Sequence, residues 1–384
     1  MPLNTAGLTA LLDDGNDAVL YFAIGDGPTS ADEVSSGRLS VTLGAPDGDS
    51  VIAGTNLPLD FEGPNGGTAS HLLVFSALTD GTFYGSVPLD GDTLFSPSGR
   101  LQITELTLTG SVPTGVPGGF PDATNTGLAG VGLTESDLSL YTGPGGYSGS
   151  AVVTLERLLI NDDIRVYDSV NITLIECKIN GHIDIDSTLA TLTMIDCHVD
   201  AGTWSNAAVG FQNMTITRCN IEGGITAVNA SVNVTVTDSY LHGQQISPTG
   251  PDHAGGFLCS GGHDITLTHN TIVCDVLDNG FGGGPSNNLN LFGDFAPLLD
   301  ITIDNNYFPV TAGGYSVSLG HNPGANFGDN PTNITFTDNV LERDPITGKG
   351  GVFGTVTSYL DANGNVYSNN VWADDPLTLV PPNA

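Results

Sequence analysis

The chain has 384 residues, 39% of them apolar, with 52 Gly and 22 Pro; a core is within reach, and short strands broken by turns are expected. Eight Lys and Arg stand against 42 Asp and Glu, a formal charge of −34, so repulsion opposes DNA, RNA or an anionic membrane surface as partners. No apolar run reaches the roughly 18 residues that span a bilayer, so no membrane insertion is expected. Met1-Pro2-Leu3-Asn4 lacks the basic start and apolar stretch of a secretory signal, so folding in a cytoplasm is expected.

Residues 1–110 hold alternating stretches such as Ala18-Val19-Leu20-Tyr21-Phe22, Leu39-Ser40-Val41-Thr42-Leu43, His71-Leu72-Leu73-Val74-Phe75 and 101–108, separated by Asp/Gly/Pro turns. One buried face per strand and frequent turns suit a small antiparallel β-sandwich-like domain. The only helical pattern is a weak one near Leu8–Leu12. Val112-Pro113-Thr114-Gly115-Val116-Pro117-Gly118 opens a Pro/Gly-rich connector, placed at 111–144 together with the entry to the next domain.

From there a line of apolar-Thr-apolar-x-acid-(Cys/Asn)-x-apolar returns about nine times. It reads Ile172-Thr173-Leu174-Ile175-Glu176-Cys177-Lys178-Ile179, then Leu192-Thr193-Met194-Ile195-Asp196-Cys197-His198-Val199. The Thr row is 154, 173, 193, 215, 235, 266, 302 and 335, with Val366 in the ninth slot. Such a unit cannot bury its apolar face alone and must stack on its own copies. The apolar row six places on (Ile160, Ile179, Val199, Ile221, Leu241, Ile272, Phe308, Leu341, Trp372) has the opposite inward parity. The chain must therefore bend between the rows, near Glu176, Asp196, Asp238, Asp304 and Asp338. These rows predict an all-β chain in which the N-terminal domain is followed by a right-handed parallel β-helix of about nine coils, at 145–375, with 376–384 as a tail.

Cys177, Cys197 and Cys219 share one repeat slot with Ser239, Asn270, Asn306, Asn339 and Asn370. A metal or disulfide site is one reading; a ladder of small buried side chains is the other, favoured because later coils place Asn there. The Asn-x-Thr words at Asn171, Asn213, Asn233 and Asn333 read as repeat residues.

Two resemblances follow from longer words. Gly119-Phe120-Pro121-Asp122-Ala123-Thr124-Asn125-Thr126-Gly127 with Leu140-Tyr141-Thr142-Gly143-Pro144, Leu241-His242-Gly243-Gln244, His269-Asn270-Thr271-Ile272 and Phe292-Gly293-Asp294-Phe295-Ala296-Pro297 resemble β-helix proteins of the pectate-lyase-like type. These occur in actinobacteria and in the tailed bacteriophages that infect them; the likeness covers roughly 119–375. Leu8-Thr9-Ala10-Leu11-Leu12, Val74-Phe75-Ser76-Ala77 and Gly81-Thr82-Phe83-Tyr84-Gly85-Ser86-Val87-Pro88-Leu89 resemble small β domains of phage minor tail proteins. The combination implies an actinobacteriophage minor tail, fibre- or spike-like virion protein assembled in the host cytoplasm. Residues 1–110 would join other tail proteins, the β-helix would meet host cell-envelope glycan, and a homo-oligomer, a trimer, is expected.

The longest insertions follow Leu241 and Cys274, and insertions are where a solenoid places function. Glycoside hydrolysis needs two carboxylates, one to protonate the leaving oxygen and one to activate water or attack. The candidates are Asp252, Asp278 and Asp294, with His253 as proton carrier. His242, Gln244, Asn288, Asn290, Tyr315 and His321 are candidate glycan-binding residues, and Tyr307 is a further aromatic that could stack on a sugar. β-Elimination is disfavoured, since no Arg or Lys lies between Arg218 and Arg343. Some β-helix relatives carry His-x-Asp-Gly in a comparable turn; here His253-Ala254-Gly255-Gly256 lacks the acid. Binding without chemistry is the leading expectation and a polysaccharide depolymerase the alternative; a capsid-attached fibre and a structural spacer are further alternatives. No cofactor is expected, with Ca²⁺ at Asp304-Asn305-Asn306 the one open option.

Overall fold

The computed structural model describes residues 19–27, 30–47, 50–53, 58–75, 77–79, 83–89, 93–104, 107–109 and 119–383. The Leu8–Leu12 pattern, Ser76, Gly81, Thr82 and residues 112–118 lie outside them. The chain falls into two compact units, 1–114 and 115–384.

In the first unit a six-stranded antiparallel sheet runs in the order Phe83–Pro88, His71–Phe75, Val19–Gly25, Leu39–Asp47, Ser50–Ala53, Thr107–Thr109. Leu59–Glu62 pairs with Arg100–Ile103 in a second, two-stranded sheet. Phe22, Ile24, Leu72 and Val74 of the large sheet bury against Leu59, Phe61 and Leu101 of the small one, with Phe95 between them. That is the period-2 pattern turned into two faces, a sandwich-like core. The 101–108 stretch serves both sheets: residues 101–103 lie in the small one and 107–108 in the large one.

The second unit is a parallel β-helix of nine coils. Each coil passes through a nine-stranded sheet A, an eleven-stranded sheet B and a ten-stranded sheet C. In sheet A the register pairs Thr154, Thr173, Thr193, Thr215, Thr235, Thr266, Thr302, Thr335 and Val366 in one unbroken row. Alternation explains the burial: along Asn171–Ile175, Ile172 and Leu174 point inward while Thr173 stays at the surface. The interior is one continuous apolar stack from Tyr147 to Val380. Truncating a member such as Ile216 or Leu267 to Ala costs about 2–5 kcal/mol.

Between sheets A and B one residue per coil takes the left-handed backbone conformation, with φ of 50–57° at Arg157, Glu176, Asp196, Arg218, Asp238, His269, Asn305, Asp338 and Asn369. Four of the expected bends fall where the parity change put them. The fifth does not: Asn305 bends, and Asp304 is the last residue of the strand Leu298–Asp304. The bend always directly precedes the inward ladder residue, here Asn306, and Asp304 instead accepts the Thr337 hydroxyl at 2.6 Å.

The ladder residues stack inside these bends. Asn270, Asn306 and Asn339 each give both a backbone and a side-chain N–H to Oδ1 of the next Asn, at 2.8–3.2 Å. Ser239 joins through its N–H to Asn270 Oδ1 at 2.9 Å. All five Cys are free and buried; Cys197 and Cys219 give their thiols to the carbonyls of Ile195 and Thr217, two residues before them, at 3.3 Å. Burial pushes Cys259 up to about 11 and Cys274 up to about 12. Asn213, Asn233 and Asn333, from the Asn-x-Thr words, also hold left-handed bends, at φ 53–56°.

Residues 119–139 form a strap along the outside of the helix. Phe120 stacks on His269 at 5.2 Å and lies 5.7 Å from Tyr307. The Gly127 N–H reaches the Arg218 carbonyl at 2.8 Å, and the Ser139 N–H that of Arg157 at 3.1 Å. Gly127 has φ +56°, and a Cβ there would sit 3.0 Å from Asn220 Cβ, so glycine lets the strap lie flush. It crosses from coil 7 back to coil 1, about 29 Å at the parallel-strand spacing. The first helix strand is Ser139–Leu140, earlier than residue 145, and Gly146–Tyr147 follows. The expected tail is structured as well: Asp375–Leu379 pairs antiparallel with Val371–Trp372 and closes sheet B.

Candidate functional site

Sheet A turns into sheet B at the tight laddered bend, so long insertions have two other exits. At the B–C corner they occupy 242–252, 273–288, 309–316 and 342–355. At the C–A corner they occupy 292–297, 320–331 and 358–365. Both sets border the outer face of sheet C, whose outward row reads Arg165, Asp184, Gly210, Asn229, Leu258, Asn290, Ser318, Thr357.

Asp252, His253 and Asp278 gather at the B–C corner. Asp252 Oδ2 accepts the Ser247 N–H at 2.9 Å, and Asp278 Oδ1 the Gly280 N–H at 2.6 Å. Asn279 locks the two loops together, giving its amide to the Ser247 and Gly250 carbonyls at 2.8 Å. His253 is exposed and opens the strand His253–Cys259, paired with Gly284. Asp294 sits at the opposite, C–A corner, where its carbonyl accepts from Asn326. A six-residue strand step separates the two corners, about 20 Å. Asp252 and Asp278 are thus neighbours, and Asp294 is apart from both. His321 shares the Asp294 side, its N–H on the Ser358 carbonyl at 2.8 Å.

Three polar candidates are buried. Asn288 is fully buried, accepting the Cys274 N–H at 2.7 Å and donating to Ser316 Oγ at 3.0 Å. Asn290 is buried beneath an amide pair with Asn287 at 2.9 Å. Gln244 is buried with Nε2 on the Val273 carbonyl at 3.0 Å. These three shape the corners. His242 lies on sheet B, stacked on Tyr240 at 3.9 Å with Nε2 2.7 Å from Asn220 Oδ1. Burial pushes its imidazole down and lifts Tyr240 to about 12. Beside it a hydrogen bond with His198 at 2.6 Å holds Glu222 below the usual carboxylate range, and burial lowers Lys178. Tyr307 is buried under Phe120 and presents no face to a sugar.

Exposed aromatic rings at both edges of sheet C escaped the sequence reading. At the B–C corner Phe281 is 64% exposed and Phe353 69%, the latter 6.2 Å from the Tyr315 ring. At the C–A corner Phe295 is 81% exposed, and Phe327 also faces solvent. Only their place in insertions that flank one sheet would have marked them, since a loop Phe and a core Phe look alike in sequence. Among the described residues no group of three or more His, Cys, Asp or Glu side chains could hold a metal ion; Asn306 of the Ca²⁺ option is buried in the ladder. No helix among the described residues is long and apolar enough to cross a membrane.

No protein-family model, curated protein or solved structure matches this chain.

Proposed function

We propose that the chain is a bacteriophage minor tail or fibre protein whose β-helix binds host cell-surface glycan along the outer face of sheet C. The observation that carries the binding half is the set of exposed rings, Phe281 and Phe353 on one edge, with the half-buried Tyr315 beside Phe353, and Phe295 and Phe327 on the other. Exposed apolar groups rimmed by polar loops mark interaction sites, and rings held on a stiff stack lose little entropy when a ligand seats. The strong negative charge favours a neutral glycan over an acidic one. The virion assignment rests on the resemblance of both units, with residues 1–110 as the attachment domain and a trimer as the assembly. Binding is favoured over hydrolysis because Asp252 and Asp278, though adjacent, each accept a backbone N–H within their own turns.

Purified protein is incubated with wall glycan from actinobacterial cells and followed by calorimetry and a reducing-end assay. Saturable binding without sugar release supports the proposal. Release abolished by Asp252→Asn or Asp278→Asn makes the protein a depolymerase instead, and no binding to any wall fraction removes the glycan reading. Antibodies against residues 1–110 that fail to label phage tails, intact or partly disassembled, remove the virion reading.

A further inference from the structure

The outer face of sheet C carries a second cluster, in coils 1 to 3. His182 is buried, with Nδ1 2.8 Å from Asp163 Oδ1 and Nε2 3.2 Å from Asp184 Oδ2. Arg165 Nη2 lies 3.3 Å from the same Nε2. Trp204, from the B–C corner of coil 3, lies flat on the imidazole, ring centroids 4.1 Å apart and planes 1° from parallel.

Two buried polar atoms here have no hydrogen-bond partner: Asp184 Oδ1, an acceptor, and Trp204 Nε1, a donor. Such groups are rare in native proteins and call for an explanation. Both belong to residues that flank one imidazole, and a hydroxyl can accept from an indole N–H while donating to a carboxylate. The next outward positions along the sheet are Gly210, which has no side chain, and Asn229. Bare backbone therefore separates the Asp184 carboxylate from the Asn229 amide. Arg165 and Asp163 stay part-exposed beside it, at 43% and 40%.

We propose that Trp204, Asp184, Arg165 and Asn229 form a sugar subsite, in which one ligand hydroxyl bridges Trp204 Nε1 and Asp184 Oδ1. The ligand class is a neutral oligosaccharide. The subsite rests on the glycan reading and extends it from the inserted coils to the other end of the same sheet face. The competing occupant is a buried water.

The chain has two Trp, and Trp372 is buried in the core, so W372F leaves Trp204 as the only indole. Full-length W372F is titrated with neutral oligosaccharides released from purified actinobacterial walls, following emission and heat together. The expected result is a saturable emission shift with the same midpoint as the heat. In the Trp372 background, W204F, which keeps a ring on His182 and removes the N–H, and D184N each weaken binding about tenfold with Tm nearly unchanged. Heat without an emission shift, and with D184N and W204F binding like wild type, overturns the subsite, leaves a buried water only, and keeps the glycan reading. No heat with any fraction overturns both. Should W372F fail to fold, W204F and D184N decide alone.

Discussion

Coils 1–4 and coils 5–8 share one frame and differ in what they carry. The short coils place Thr at 154, 173, 193, 215 and 235, and the long ones at 235, 266, 302, 335 and, as Val, 366. The bend ladder changes at nearly the same point, from Cys177, Cys197 and Cys219, through Ser239, to Asn270, Asn306, Asn339 and Asn370. A thiol packs well but bonds weakly, whereas Asn270, Asn306 and Asn339 each tie their coil to the next through two hydrogen bonds. The heavily inserted coils are therefore those whose opposite corner is cross-linked. On the proposed reading, loops that present rings to a glycan need a fixed base, and the amide ladder is suited to be that base.

That contrast can be broken at the ladder first. Asn306→Leu leaves the N–H of Asn270 and the carbonyls of Leu267 and Asp304 without their partner. A loss of about 3 kcal/mol is expected from several buried groups at about 1 kcal/mol or more each, read as a lower denaturant midpoint. Next, Phe281→Ala and Phe353→Ala each lower wall-glycan affinity about tenfold, about 1.4 kcal/mol, with the midpoint unmoved. Cys197→Ala costs about 1 kcal/mol; a loss equal to that of Asn306→Leu would end the distinction between the two ladders.

The smallest effect is one of pH. Burial lowers the folded pKa of His242, against the pull of Asp275 and Glu222 and with the push of His198. The unfolded imidazole titrates near 6.5, so above that pH both states are neutral and the contribution is complete. As pH falls below about 6.5 the unfolded chain takes the proton first, and stability declines until the folded pKa is passed. His242→Gln should flatten that slope in midpoints measured from pH 7.5 to 5; an unchanged slope would place the proton uptake elsewhere.

The coils could be read from sequence because a strand has a period of two and each rung repeats its neighbour in register, so Thr173 and Ile179 disclose their own partners. The bend near Asp304 was misplaced by one because Asp304-Asn305-Asn306 offers three residues suited to a turn, and only the stacking of Asn306 decides among them. Contacts that stand outside the repeat left no periodic trace. The seat of Phe120 on His269, the stacking of Trp204 on His182 and the return of Asp375–Leu379 along sheet B are of this kind. Of the candidate site, the corners were legible as insertions. Burial was not: Asn288 and Asn290 read as ligand-facing amides and proved to be joinery, while nothing in the sequence singled out Phe281 and Phe353.

The strap has a temporal consequence. Residues 119–139 leave the ribosome before any coil they clasp, and Arg218, His269 and Tyr307 emerge one after another. Its seat is finished only once coil 7 exists, so a nascent chain halted earlier holds Phe120 undocked, with an apolar ring in reach of chaperones, and completion of the seventh turn marks the first moment at which the clasp can shut.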